Sequence, residues 1–213
     1  MRTDELIVEL ARSAAPVAPL TPPSVRLGRW AAAMFVVSAA GVWLLGPRPD
    51  ISQALRQPVY DLRLATTLLT AILAAAAALV LSVPGAERSP MQRLLPLVAA
   101  GAWAAILAAL LIAGGNPVGR VLAFPVNWPC SYKIFGFCLI PGIALVALIR
   151  RAAPLEPVWN ALLAGLAATA LGATATQLIC PVDDPAHQLV GHLMPVLVIA
   201  AIATAIGTRS LRR

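Results

Sequence analysis

Six apolar runs, residues 30–46, 64–83, 94–113, 134–149, 158–179 and 188–206, leave this chain few ways to fold. Each approaches the roughly 20 residues that an α-helix needs to cross the hydrocarbon core of a bilayer. Short breaks rich in Pro, Gly and Arg separate them. In lipid, a helix satisfies its backbone N–H and C=O groups within its own segment, whereas an open strand edge does not. The expected fold is therefore all-α: a polytopic membrane protein with a six-helix transmembrane bundle. Composition agrees. Of 213 residues, 60% are hydrophobic and 12% charged, against about 45–50% and about 25% in a soluble domain. The lipid bilayer is its first expected partner.

The net charge of +7 comes from 16 Lys and Arg. A nucleic-acid binder gathers such residues on one face. Here they stand in the breaks between apolar runs, so no direct nucleic-acid binding is expected. Their distribution also carries a topology. Arg2, Arg12, Arg26, Arg29, Arg88, Arg93, Arg150, Arg151, Arg209, Arg212 and Arg213 fall on one side of a six-span arrangement, and Arg48, Arg56, Arg63, Arg120 and Lys133 on the other. The positive-inside rule then places both termini in the cytoplasm. The first 29 residues are mostly polar and acidic at the start, unlike a signal peptide, so the first run reads as a retained anchor.

Three regions follow: residues 1–29, a membrane domain over 30–207, and a basic tail over 208–213. Within the first, Thr3 opens a short helix with Asp4 and Glu5 in its first turn, where the helix dipole favours acids. Leu6, Ile7, Leu10 and Ala11 recur at helical spacing with Glu9 among them, a narrow apolar stripe. A helix this short is not stable alone and needs a partner surface. Residues 14–23 hold four prolines and no charge, an extended tether. In the loop after the first span, Ile51, Leu55, Val59 and Leu62 suggest a helix lying on the membrane surface.

Polar chemistry collects at two places on the predicted outer side. Residues 180–192 hold Cys180, Asp183, Asp184, His187 and His192, and residues 127–138 hold Cys130 and Cys138. Cys130 and Cys180 are expected at the outer surface, where an oxidising compartment permits a disulfide. Such a bridge would close a loop of about 50 residues and stabilise the fold by about 4 kcal/mol. The alternative is a thiol pair that oxidises or binds a thiophilic ion. Cys138, further into the fourth span, reads as a packed apolar residue. With His187 and His192 the two outer thiols would complete a Cys₂His₂ metal set. Against it, residues five apart on an α-helix point about 140° apart, so the histidines converge only if His187 precedes the helix. Asp183 and Asp184 read as a solubilising pair, not a catalytic one. Trp30 and Trp128 read as interfacial aromatics.

In the order of its features the chain resembles the NrsF-type anti-sigma factors, six-span proteins of the bacterial inner membrane. The resemblance rests on Thr3-Asp4-Glu5-Leu6-Ile7, on Leu55-Arg56-Gln57-Pro58-Val59-Tyr60, and on Trp128-Pro129-Cys130. Pro141-Gly142, Arg150-Arg151-Ala152-Ala153-Pro154 and Cys180-Pro181 complete it. It implies that the N-terminal segment sequesters an extracytoplasmic-function sigma factor, with Asp4, Glu5, Leu6, Ile7, Glu9 and Leu10 as the contacting residues. It also implies that Cys130 and Cys180 sense a metal or redox signal in the periplasm. Family members often carry aromatic residues after the last cysteine, where this chain has Gln188-Leu189-Val190-Gly191-His192.

No catalytic constellation and no Rossmann or P-loop glycine pattern is present, so neither an enzyme nor a cofactor is expected. The readings from other classes are a membrane thiol oxidoreductase or a small-solute transporter, and after them a structural membrane subunit. The first would want a Cys-x-x-Cys pair, which the chain lacks. The second would want broken spans at matching depth and an ionisable group within the membrane. Pro141-Gly142 and Pro195 offer a weak version of the breaks.

Overall fold

A computed structural model of the chain describes residues 2–14, 19–85, 89–123, 128–152 and 154–211. Proline stands in the first turn of every long apolar helix. The helices are α1 Thr3–Ser13, α2 Pro23–Leu45, α3 Ile51–Ala54, α4 Pro58–Leu81, α5 Pro90–Ala113 and α6 Pro117–Ala123. They continue with α7 Trp128–Arg150, α8 Pro157–Gln177, α9 Pro185–Gln188 and α10 Met194–Leu211. A π-helical turn over Leu189–Leu193 joins α9 to α10, so that Pro185–Arg209 forms one span. Proline suits the first turn because its φ is already helical and its missing N–H would have had no partner there. The helices therefore begin before the apolar runs do. Six of them are long and apolar enough to cross a membrane, which is the all-α polytopic bundle the sequence predicts. Among the described residues there is no strand. Of the sequence features above, residues 15–18 of the tether, Arg88, Ala153, Arg212, Arg213 and the side chain of Trp128 lie outside the described residues.

The bundle is built around α8. Its apolar stretch is 78% buried, against 11% for α2 at the edge, and it packs on α4, α7 and α10. Small residues make that possible. A Cβ on Gly172 would stand 2.7 Å from the carbonyl oxygen of Ile134 on α7, and one on Gly165 would stand 3.2 Å from that of Ala200 on α10. The polar groups of α8 bond inward. Asn160 donates to the carbonyls of Glu156 and Leu81, and Gln177 donates to Thr67 on α4. Tyr60 at the start of α4 donates to the carbonyl of Gln177 at the end of α8. Cys138 is buried on α7, and a Cβ on Gly172 would touch it. Large apolar side chains such as Phe35, Trp43, Val98 and Ile143 are exposed on the outside, as a lipid-facing surface requires.

Three expectations are corrected. There is no surface helix over 51–62: α3 is a single turn, and Pro58 starts the membrane helix α4, so Val59, Leu62 and Arg63 belong to it. The basic residues do not all stand in the breaks between spans, because the early starts draw Arg26 and Arg93 into the first turns of α2 and α5 and Arg63 into the second turn of α4. Trp30 is not an interfacial aromatic. It is 4% exposed, two turns into α2, and its indole N–H donates to the carbonyl of Pro141 at 3.2 Å. Nearby, Arg26 donates to the carbonyl of Leu148. These two bonds fasten the first two turns of α2 to the C-terminal half of α7.

Candidate functional site

At one end of the bundle, four side chains from three segments meet. Cys130 lies in the first turn of α7, Cys180 just beyond the end of α8, His187 in α9 and His192 in the π turn. Their exposures are 4%, 3%, 0% and 0%. The thiol of Cys130 donates to the sulfur of Cys180 at 3.5 Å. Nε2 of His187 stands 3.2 Å from the sulfur of Cys180 and 3.6 Å from that of Cys130. The two imidazole rings meet edge-on with centroids 5.3 Å apart. One ligand atom from each of the four residues falls within 4.8 Å of all the others.

The π turn corrects the argument against the histidines. Its hydrogen bonds close from residue i to i+5, one residue more than an α turn, and that shift between α9 and α10 accompanies the meeting of the two rings. His187 need not precede the helix; the extra residue in the turn rotates His192 round to meet it. Both ring nitrogens of His192 are buried and make no hydrogen bond. A polar group in that condition is costly inside a membrane protein.

Burial and free thiols replace the expected surface pair. Cys130 and Cys180 are unbonded, as is Cys138, and neither of the pair is open to a protein-sized thiol partner. The hydrogen bond from Cys130, with further help from His187, holds the Cys180 thiol below the usual thiol range against the opposing effect of burial. Two sulfurs and two imidazoles form a donor set suited to a soft or borderline cation, or to two-electron oxidation to a disulfide.

Asp183 and Asp184 do more than keep a loop soluble. They point apart, as neighbours between prolines should, and each has partners. Asp183 accepts from Arg48 and from Arg63, each at 2.6 Å. The Arg48 guanidinium also grips Asp50 at 2.7 and 2.8 Å, and both arginines lie against the ring of Tyr60. The backbone N–H of Arg48 donates to the carbonyl of Leu178 at 3.0 Å. Burial pushes the Asp183 carboxyl up, but the bonds from Arg48 and Arg63 outweigh it and hold it below its ordinary value. Asp184 caps α9, accepting from the N–H groups of Ala186 at 2.8 Å and His187 at 3.2 Å, and pairs with Arg120 of α6. The segment between Cys180 and His187 is thus fixed to the loop after α2, to α4 and to α6. The sequence reading missed this clamp; the one signal for it was the placing of Arg48, Arg63 and Arg120 on the same predicted side as the two acids.

Asp4, Glu5, Leu6, Ile7, Glu9 and Leu10 are all exposed on α1, which has no buried residue. The backbone N–H of Arg2 donates to the carboxylate of Glu5 at 3.0 Å, closing the first turn. Leu6, Ile7, Val8 and Leu10 are 40–60% exposed, a stripe that nothing in the bundle covers.

Comparison with known proteins gives one family and one full-length relative. A family model described as negative regulator of sigma F matches residues 10–212. The chain is 29% identical over 217 residues to a protein of Azospira oryzae named probable anti-sigma-F factor NrsF, with 100% of both chains covered. No solved structure matches.

Proposed function

The chain belongs to the NrsF family of negative regulators of sigma F, and on that premise we propose that it holds an extracytoplasmic-function sigma factor at the bacterial inner membrane through α1. In this reading both termini are cytoplasmic and the cluster of Cys130 and Cys180 faces the periplasm. A metal or redox event at those thiols weakens the hold on the sigma factor. Residues 1–29 form the partner-binding region, 30–207 the membrane domain and 208–213 a basic tail.

The exposed stripe on α1 carries the proposal. Leu6, Ile7 and Leu10 are open on a helix too short to fold alone, and Asp4, Glu5 and Glu9 flank them. An amphipathic helix of this kind lays its apolar face in a groove of its partner. The acids would meet basic residues there, which sets orientation and association rate more than affinity. The family match begins at residue 10, so most of the stripe is supported by its own exposure and by the relative that matches from end to end. Two contacts between α7 and α2 support a route from thiols to stripe. Helix α7 carries Cys130 in its first turn and runs on through Pro141 and Leu148, whose carbonyls hold Trp30 and Arg26 of α2. Helix α2 leads back to the tether and α1.

Full burial of a Leu side chain contributes about 1.5–3 kcal/mol. A Leu6→Asp, Leu10→Asp double change should therefore free the sigma factor and switch on a reporter of its promoters, with the protein still in the membrane. Glu9→Ala alone should do little, since an exposed ion pair is worth about 0–1 kcal/mol. A double variant that still represses fully would refute α1 as the binding element.

A further inference from the structure

We propose that Cys130, Cys180, His187 and His192 form a closed four-ligand site for one thiophilic divalent cation of the zinc class. The binding itself rests on the cluster alone; its regulatory meaning rests on the reading of Cys130 and Cys180 as the sensing thiols.

The separations among Cys130, Cys180 and His187 match one face of a coordination tetrahedron, and a ligand atom of His192 lies within 4.8 Å of all three. Bonds of about 2.3 Å to sulfur and about 2.0–2.1 Å to nitrogen set edges of about 3.8 Å between sulfurs and about 3.6 Å between sulfur and nitrogen. The corresponding separations here are 3.5 Å between the sulfurs, and 3.6 and 3.2 Å from the sulfurs to Nε2 of His187. A disulfide would need about 2.05 Å. The sulfurs stand as two ligands of one ion stand, not as two halves of a bond.

The chemistry agrees. All four donors are sulfur or imidazole nitrogen, which excludes the hard, oxygen-seeking cations. The nearby carboxylates that could have supplied oxygen are engaged elsewhere, Asp183 by Arg48 and Arg63, and Asp184 by Arg120 and the start of α9. Two thiolates and two neutral imidazoles around a divalent ion give a complex of zero net charge, suited to ligands that are 0–4% exposed. On binding, the thiols give up their protons to solvent and nothing is oxidised.

His192 is the independent observation. It is fully buried, both its ring nitrogens lack a hydrogen-bond partner, and a departure from α-helical geometry brings it to the cluster. A metal bond supplies the partner that the protein does not. With four protein ligands the ion has no open position for a substrate, which marks a structural or regulatory site, not a catalytic one. The ion would tie the first turn of α7 to the end of α8 and to the start of the last span. Its loss, or its exchange for a larger thiophilic ion, would loosen the helix that holds Trp30 and Arg26.

The test uses the full-length protein purified in detergent. Zinc content by mass spectrometry should be one ion per chain. Replacement by Co²⁺ should give the visible bands of a tetrahedral centre and a near-ultraviolet thiolate-to-metal charge-transfer band. His192→Gln should weaken Co²⁺ binding by more than the about 10- to 100-fold that loss of an outer-shell partner costs. His192→Cys should keep a tetrahedral spectrum and intensify the charge-transfer band, a result that a purely packed histidine would not give and that guards against misfolding of the Gln variant. Metal-free wild-type protein that takes up no Zn²⁺ or Co²⁺ would overturn the site, as would equal Co²⁺ affinity in wild type and His192→Gln. Because metal content is read without the sigma factor, failure of the α1 reading leaves this result untouched. A loaded site whose removal does not change sigma-factor retention would refute only the regulatory link.

Discussion

Replacing Asp183 by alanine removes the central carboxylate of the clamp and strands two buried cations unequally. Arg48 keeps its bidentate bond to Asp50, whereas Arg63 keeps only the face of Tyr60 and the distant carbonyl of residue 183. Removing one partner of a buried pair costs about 3–5 kcal/mol. The Asp183 side chain is 32% exposed and Arg48 is still satisfied, so the expected loss falls at or below the bottom of that range, about 2–3 kcal/mol. Arg63→Met should cost less than about 1 kcal/mol, because it removes the buried charge itself and leaves Asp183 bonded to Arg48. Adding Arg63→Met to Asp183→Ala should recover part of the loss. The same clamp fixes a direction for pH. The Asp183 carboxyl is held below its ordinary 3.8 in the folded chain, so its contribution is complete above that value and is lost as pH falls through the folded one. Asp183→Ala should therefore flatten the acid limb of the stability curve. Unfolding in mixed detergent micelles, followed by helical circular dichroism, measures all of these. If Asp183→Ala and Arg63→Met differ by less than about 0.5 kcal/mol, the size of an ordinary surface change, the clamp reasoning is wrong.

Two further predictions concern packing and topology. Gly172→Ala should destabilise the bundle by about 1–3 kcal/mol, since its Cβ would press on the Ile134 carbonyl, while Gly142→Ala, whose Cβ would meet only Ala168 at 3.4 Å, should be tolerated; the same unfolding assay separates them. Reporter fusions at Asp50, Asn116 and Asp184 should be external and those at Gly85, Leu155 and the C-terminus cytoplasmic, and an external C-terminus would sink the orientation drawn from the basic residues.

The bundle was legible because lipid imposes one simple rule on long apolar runs, and six of them stand apart in this chain. The helix starts were less so. Pro23, Pro58, Pro90 and Pro157 read as loop residues when apolar runs define the spans, yet each opens a helix. That shift is why Arg63 and Trp30 were placed at the surface. At the site, the grouping of Cys180, His187 and His192 could be seen in sequence because polar residues are scarce there, and Cys130 shares their predicted side. The convergence of the two histidines could not be seen. It depends on a π turn, which has no composition of its own. The clamp on Asp183 pairs residues 135 and 120 positions apart, a separation at which local pattern carries no information.

The burial of α8 has a consequence for how the chain is made. Its outer surface is small and Thr-bearing, and the contacts that cover it come from α4 and α7 before it and from α10 after it. During synthesis α8 reaches the bilayer while one of those flanks is still unmade. Thr169 bonds the backbone of its own helix, but the face of Gly165 that packs closest, against Ala200 and Ala203, stays uncovered until the last span arrives. The final helix is therefore the closing piece of the assembly. The same span, Pro185–Arg209, carries His187 and His192, so the four-residue cluster is completed only once those two residues have been made, and a copy that stops before them has thiols but no imidazoles.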